Sequence, residues 1–135
     1  MQSSTSEVIT IRGRITEGLK ESSFFTQLPW VREQFMAKLG IDPYPGTLNL
    51  EVVGAEDVAR IREVKKRKGI EIIPVGQGFC PAKCFQVLVG GKVRGALVIP
   101  MVRDYPESKL EIISSDRIRD VLSLKVGDLV QVEIL

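Results

Sequence analysis

Two side chains with neutral oxygen atoms, Thr47 and Asn49, follow the segment Pro43-Tyr44-Pro45-Gly46. The two prolines restrict their own φ angles and the conformations of the residues before them, so this segment cannot be helical. A strand over Thr47 to Val53 is predicted to follow, and residues two apart on a strand share a face. A hydroxyl and an amide oxygen on one face can complete the shell of a magnesium ion whose other ligands are phosphates and water. Alternatively, Thr47 is an ordinary strand residue and Asn49 bonds a neighbouring loop.

Other familiar catalytic groups are scarce in this chain. It contains no histidine and two cysteines, Cys80 and Cys84. On one strand these cysteines would lie about 13 Å apart, which is too far for a disulfide, and we expect both to be buried and inert thiols. Neither a zinc site nor a histidine general base is therefore available.

Composition limits the classes of protein that the chain can belong to. Its 135 residues, 44% hydrophobic and 27% charged, suit one globular domain spanning residues 1–135. Lysines and arginines number 19 against 17 acids, so no overall positive field favours a nucleic-acid partner. The N-terminus is polar, and no apolar run reaches the roughly 20 residues that span a bilayer. We expect a cytoplasmic protein without a membrane partner, whose oligomeric state the sequence leaves open.

Alternation of apolar and polar residues predicts a series of short strands along the chain. Gly13 in the first strand indicates a bulge or a close approach of the backbone, and Gly90-Gly91 predicts a two-residue hairpin. The predicted strands are Val8 to Ile15, a short one through Phe24, Phe25 and Leu28, Thr47 to Val53, Ile70 to Ile73, Phe79 to Val89, Lys92 to Pro100, one at Ile112 and Ile113, and one through Val130, Val132 and Ile134.

A first helix is predicted from Trp30 to Leu39, before Gly40, a residue that commonly ends helices. Its buried face would consist of four apolar side chains that share one side of the helix. These are Val31, Phe35, Met36 and Leu39.

Two further helices are predicted beyond the central turn. The helix from Glu56 to Lys68 ends in the basic run Lys65 to Lys68, which either binds nucleic acid or complements the helix macrodipole; we favour the second interpretation. Ser115 is predicted to cap a helix from Asp116 to Leu122. Many strands with three peripheral helices predict a mainly β fold, closed or nearly closed into a barrel, rather than a parallel α/β sheet.

A series of short motifs runs along nearly the whole chain and is similar to a known family. The motifs are Phe24-Phe25, Leu28-Pro29, Glu33-Gln34-Phe35, Leu39-Gly40, PYPGTLNL from Pro43, Ala82-Lys83-Cys84, GALVIP from Gly95, Tyr105-Pro106, Glu111-Ile112-Ile113, Arg117-Ile118-Arg119 and the closing LKVGDLVQVEI. With them the chain resembles the archaeal CTP-dependent riboflavin kinases.

The resemblance implies a fold, a reaction and a set of site residues. It implies a six-stranded cradle-loop barrel that transfers the γ-phosphate of CTP to the 5′-hydroxyl of riboflavin, giving FMN, with Mg²⁺ as cofactor. Thr47 and Asn49 match the family's magnesium ligands, and Glu111 matches a carboxylate that contacts the flavin. Arg103 stands where the family has a flavin-contacting threonine. The implied nucleotide-binding residues are Gly18, Leu19, Lys20, Glu21, Ser22 and Ser23 after the first strand, and Asp116, Arg117, Ile118 and Arg119 near the end of the chain.

The loop from Gly18 to Ser23 departs from the family's pattern G-x-G-E-G-R, in which backbone amides approach phosphates closely. Lys20 replaces a glycine of that pattern and could act as a point charge on phosphate. Arg117 and Arg119 either supply charge to phosphate oxygens or lie on a solvated helix face.

The sequence is therefore compatible with three functions. They are a flavin kinase that uses CTP or another nucleotide, a non-catalytic relative that binds a flavin or nucleotide, and a DNA-binding cradle-loop barrel. The nearly balanced charge argues against the third.

Overall fold

The structure is a computed structural model and describes residues 7–18, 25–76 and 78–135. The described residues form seven strands and three helices. In chain order these are β1 (Ile9–Thr16), α1 (Pro29–Leu39), β2 (Leu48–Glu51), α2 (Ala55–Lys66), β3 (Ile70–Ile72), β4 (Ala82–Val89), β5 (Val93–Pro100), β6 (Lys109–Ile113), α3 (Ile118–Val121) and β7 (Leu129–Ile134).

Six of the seven strands close into an antiparallel barrel. The hydrogen-bonded order is β3-β4-β5-β6-β2-β1-β7, and β7 also pairs with β4, which completes the ring. Strand β3 pairs with β4 and extends the sheet beyond that ring. The prediction of a mainly β fold, with a six-stranded barrel and peripheral helices, is confirmed.

The barrel wall is packed on both of its faces. Leu110 and Ile112 of β6 belong to the cluster inside the ring, whereas Ile113 belongs to a second cluster that contains the buried face of α1. Successive side chains on a strand point to opposite faces. Glu111 of β6, and Asn49 opposite it on β2, therefore lie on the outer face of the wall.

Helix α1 packs against the outer cluster through Val31, Phe35 and Leu39, which are spaced four residues apart. It ends at Gly40, which has a φ angle of +68° and donates its backbone N–H to the Met36 carbonyl. The predicted end of the helix is therefore confirmed. The prediction that Met36 is buried is wrong, because the packed stripe is narrow and leaves this side chain 52% exposed.

A short strand was predicted through Phe24, Phe25 and Leu28. Phe24 lies outside the described residues, and Phe25 and Leu28 do not form a strand. Phe25 and Thr26 lie in a helical turn, and the Leu28 N–H donates to the Phe25 carbonyl at 3.2 Å. Pro29 follows as the first residue of α1, a helix position that proline favours because its missing N–H is not needed there.

Helix α2 packs against the cluster inside the barrel through its buried side chains Ile61 and Val64. Its C-terminal end is capped by Lys83 of β4, whose ammonium donates to the Lys65 carbonyl and, at 2.9 Å, to the Arg67 carbonyl. Two residues of the basic run, Lys65 and Lys66, lie in the last turn of the helix, where cations complement the macrodipole.

The third predicted helix is shorter than expected. Helix α3 begins at Ile118, with Arg117 at the N-cap position and no side-chain cap. The prediction that Ser115 caps it is wrong, because the Ser115 hydroxyl accepts a hydrogen bond from the Asp42 backbone N–H at 3.0 Å. The serine ties two loops together instead.

Candidate functional site

Thr47 and Asn49 meet at the start of β2. The Asn49 amide donates from Nδ2 to the Thr47 carbonyl and to the Thr47 hydroxyl, both at 3.1 Å. Asn49 is 4% exposed, and Thr47 is half-buried. Because Nδ2 is directed at Thr47, the amide carbonyl oxygen of Asn49 points elsewhere. Thr47 lies one residue before β2, which is shorter than the predicted strand Thr47 to Val53, and its side chain is in direct contact with that of Asn49.

The turn before Thr47 is held from both sides. On one side the Gly46 N–H donates to the Thr26 hydroxyl at 3.1 Å, and Gln27 donates to the Pro43 carbonyl at 3.0 Å. On the other side the Tyr44 N–H donates to the Ser114 carbonyl at 2.8 Å. These bonds connect the turn to the residues that precede α1 and to those that follow β6, so the position of Thr47 is fixed by two distant parts of the chain.

Gly18 lies directly against the side chain of Asn49. A Cβ atom at position 18 would overlap the Asn49 amide nitrogen and would lie 3.1 Å from the amide carbon. A side chain at position 18 would therefore require the Asn49 amide or the backbone after β1 to move, and glycine avoids this. The remaining nucleotide-binding residues predicted in this loop, Leu19, Lys20, Glu21, Ser22 and Ser23, lie outside the described residues.

Glu111 is the direct neighbour of Asn49 in the sheet. The two residues are paired in the antiparallel register of β2 and β6, and Glu111 is also paired with Val98 of β5. Its carboxylate oxygen Oε2 accepts a hydrogen bond of 2.5 Å from the Tyr105 hydroxyl. Burial, and then this hydrogen bond and the charge of Glu111, raise the pKa of Tyr105 far above its usual range.

A cleft of about 280 Å³ opens on the outer face of the barrel beside these residues. We call it the outer cleft. Its polar groups include Thr47 and Glu111, and most of its wall is apolar. The lining residues are Phe25, Thr47, Gly78, Phe79, Cys80, Ala82, Val98, Pro100, Glu111 and Ile113.

Aromatic rings form one side of the outer cleft. The ring centroids of Phe25 and Phe79 are 6.4 Å apart, and Phe79 contacts Trp30 edge to face at 5.2 Å. Such rings offer a flat, weakly hydrated surface to another ring system. The cleft can therefore hold a planar apolar group whose polar edge reaches Glu111.

Arg103, the other residue predicted to contact a flavin, is exposed in the loop between β5 and β6. It does not line the outer cleft among the residues that the structure describes. The same loop carries Tyr105 and is tied to α2, because Arg62 makes two hydrogen bonds to the Glu107 carboxylate at 2.9 and 2.7 Å. The hydrogen bond from Arg62 and its charge lower the pKa of Glu107.

The predicted segment Asp116 to Arg119 begins beside the turn that carries Thr47. The Asp116 N–H donates to the Ser114 hydroxyl at 3.2 Å, and Ser114 is the residue whose carbonyl holds Tyr44. Arg117 is exposed and forms an ion pair with Asp120 at 3.2 Å. Ile118 is 4% exposed and belongs to the barrel interior, so this residue can offer a ligand only its backbone.

The two cysteines differ from each other. Cys84 is fully buried, and burial raises the pKa of its thiol to about 12, as expected for an inert thiol. The prediction that Cys80 is buried is wrong, because this residue is exposed and lines the outer cleft. Strand β4 begins at Ala82 because Pro81 cannot donate a ladder hydrogen bond, which leaves Cys80 outside the sheet.

Several residues of the site had no role in the sequence interpretation. Phe79 and Cys80 were expected to belong to a strand, and Tyr105 appeared only within the motif Tyr105-Pro106. No local periodicity relates them to Glu111, since they come from different loops. Asn49 and Glu111 are neighbours because of the register between β2 and β6, so a correct prediction of that strand pairing would have placed them together.

The donor set fits magnesium better than a softer metal. No group of three or more His, Cys, Asp or Glu side chains that could hold a metal occurs within residues 7–18, 25–76 and 78–135. Thr47 and Asn49 offer hard, neutral oxygens, the ligand type that Mg²⁺ takes together with water and substrate phosphates. Across those same ranges, no helix has the length and apolar character needed to cross a membrane.

The closed barrel, with a small polar cluster beside an apolar outer cleft, defines a β-barrel protein with a site for a small ligand. The family model CTP-dep_RFKase, described as "Domain of unknown function DUF120", matches residues 15–134. The chain belongs to this CTP-dependent riboflavin kinase family.

Proteins named riboflavin kinase from several archaea are similar to the chain. That of Archaeoglobus fulgidus is 40% identical over 94% of this chain, and that of Methanothermobacter thermautotrophicus is 38% identical over 87% of it. The chain covers 55% of the length of the first relative and 92% of the second. A third, from Sulfurisphaera tokodaii, is 34% identical, and the chain covers 96% of its length. The chain thus spans about half the length of some relatives and nearly all of others.

Proposed function

We propose that this protein transfers the γ-phosphate of CTP to the 5′-hydroxyl of riboflavin, giving FMN, CDP and the hydroxyl proton, in a reaction that depends on Mg²⁺. The observation that carries the proposal is that Thr47 and Glu111 line one cleft. A metal-binding oxygen and an acceptor-binding carboxylate must lie close together in a phosphotransferase, because the phosphoryl group passes from one substrate to the other. The similarity to relatives named riboflavin kinase supports riboflavin as the acceptor.

The acceptor is assigned to the outer cleft. The isoalloxazine ring of riboflavin is flat and largely apolar, and the aromatic wall formed by Phe25 and Phe79 suits it. Glu111 would accept hydrogen bonds from the polar edge of the flavin or from its ribityl hydroxyls. Arg103 would contact the flavin only from the rim of the site.

The nucleotide is assigned to the other side of Asn49, beside Gly18. Thr47 and Asn49 would hold Mg²⁺, which would neutralise charge on the phosphates that complete its coordination shell. Lys20 would bind a phosphate as a point charge, and the segment Asp116 to Arg119 would contact the nucleotide from the far side of the turn. Phosphoryl transfer depends mostly on such positioning and charge neutralisation, so the absence of histidine is no obstacle.

The test is FMN formation by the purified protein with each of the four ribonucleoside triphosphates, with and without Mg²⁺. We expect FMN with CTP and Mg²⁺ and much slower formation with the other three nucleotides. A faster reaction with ATP would overturn the donor assignment. Binding of riboflavin without any phosphorylation would favour the non-catalytic relative.

A further inference from the structure

The carboxylate of Glu111 in the outer cleft is contacted by Tyr105, a residue that does not line the cleft. Glu111 is fixed at its backbone by β2 on one side and β5 on the other. Its side chain nevertheless has three rotatable bonds, so the strands alone do not decide where the carboxylate points. The Tyr105 hydroxyl, 2.5 Å from Oε2, is the described contact that restricts it.

Tyr105 suits this task because its hydroxyl donates directly to the Glu111 carboxylate. It is half-buried, and burial raises the pKa of its phenol, as do the hydrogen bond to Glu111 and the charge of Glu111. The Lys109 ammonium lies 5.9 Å from the centroid of the phenol ring. A phenol that donates to one carboxylate oxygen leaves the second oxygen available to another donor.

The loop that carries Tyr105 is itself anchored. Arg62 of α2 binds Glu107 through two hydrogen bonds, and the Val52 N–H donates to the Ser108 carbonyl at 2.8 Å. Helix α2, whose buried face belongs to the barrel interior, therefore connects through this loop to the carboxylate in the outer cleft.

We propose that Tyr105 is a positioning residue for the acceptor: it holds one oxygen of Glu111 so that the other faces the outer cleft. This inference rests on the proposed function, in which Glu111 contacts riboflavin. Tyr105 itself need not touch the substrate.

The experiment compares Tyr105→Phe, Glu111→Gln and the double variant in steady-state FMN formation, varying riboflavin and CTP separately. Loss of a phenol-to-carboxylate hydrogen bond that is partly accessible to water should change the affinity for the substrate by about tenfold. Tyr105→Phe should therefore raise the KM for riboflavin about tenfold, with the KM for CTP and the thermal midpoint nearly unchanged. In the Glu111→Gln background the same substitution should have less than about a twofold effect, because its partner is gone.

Other results would overturn the proposal in distinguishable ways. If Glu111→Gln raises the KM for riboflavin and Tyr105→Phe does not, Glu111 contacts the acceptor without help from Tyr105. Equal effects of Tyr105→Phe in both backgrounds would show that Tyr105 acts independently of Glu111. A fall in thermal midpoint with parallel changes in both KM values would indicate a structural role. Absence of FMN formation by the wild-type protein would overturn the proposed function and, with it, this role for Tyr105.

Discussion

The strand residues of the site and its loop residues are held in place by different kinds of contact. Asn49 and Glu111 are held by the ladder between β2 and β6, in which each residue is fixed by bonds along the whole strand. Tyr105 and Glu107 belong to the loop between β5 and β6, which is held by a few separate contacts, among them the two bonds from Arg62 to Glu107 and one backbone bond from Val52 to Ser108. A change in the ladder region should therefore alter the chemistry strongly, whereas a change in the loop should alter the fit of one substrate.

The largest effect is expected for Thr47→Ala. Removal of the hydroxyl takes away one of two proposed metal-binding oxygens, and loss of such an electrostatic contact typically lowers turnover by about 100-fold or more. The fall should be partly recovered by raising the Mg²⁺ concentration. The matched control is Thr47→Ser, which keeps the hydroxyl and should retain most of the activity. Equal activity of the alanine and serine variants across a magnesium titration would contradict the metal assignment.

Gly18→Ala should rank second. The added Cβ would overlap the Asn49 amide, and this contact can be relieved only if the Asn49 side chain or the backbone after β1 moves. A displacement of about 1 Å at a reacting centre can cost on the order of 100-fold in rate, and we expect a loss of about 30-fold in kcat/KM for CTP. The matched control is Gly91→Ala, since among the described residues, its two chain neighbours apart, no atom lies within 4 Å of a Cβ there. Because Gly91 has a φ angle of +68°, that control should cost stability but not nucleotide affinity.

The smallest effect is expected for Arg62→Ala, which frees the loop from α2. Both partners of the Arg62–Glu107 pair are substantially exposed, and such pairs contribute little, so the KM for riboflavin should rise only about twofold to threefold. Lys66→Ala is the control, because Lys66 pairs with Glu63 within the same helix and should change nothing.

Salt concentration and pH provide further tests of the contribution of the Arg62–Glu107 ion pair. The difference between wild type and Arg62→Ala should shrink in about 1 M salt, which screens exposed charges. The pKa of Glu107 is lowered by Arg62. The contribution of the pair is therefore present above the unfolded-state pKa of Glu107 and is lost as the pH falls through the depressed value. An Arg62→Ala effect that grows as the pH falls would contradict the account.

The sequence predicted most accurately the features that depend on local periodicity. Gly13 was expected to mark a close approach, and a Cβ there would lie 3.0 Å from the Cβ of Leu50. Thr47 and Asn49 were expected on one face, and their side chains are hydrogen-bonded to each other. The first expectation rests on residue type, since a glycine inside a strand marks a bulge or a close approach of another backbone, and the second rests on the alternation of side chains along a strand.

The failures involve contacts between distant parts of the chain. Ser115 has the right residue type for a helix cap, but Asp42, 73 positions away, recruits its hydroxyl. Cys80 lies in an apolar stretch, yet Pro81 delays the strand and leaves the thiol in the outer cleft. The cleft itself combines the turn before α1, the segment before β4 and strands β5 and β6, and no local pattern relates these segments.

The most direct test of the central claim, that riboflavin binds in the outer cleft between Thr47 and Glu111, uses the two cysteines as probes. At pH 8 the buried Cys84, with its pKa raised to about 12, should not react with a thiol reagent, whereas the exposed Cys80 should. We expect one reactive thiol per native chain and two in denaturant. Saturating riboflavin should slow the labelling of Cys80 at least about tenfold by covering the thiol, and CTP alone should not. If FMN forms but riboflavin leaves the labelling rate of Cys80 unchanged, the acceptor binds elsewhere and the account is wrong.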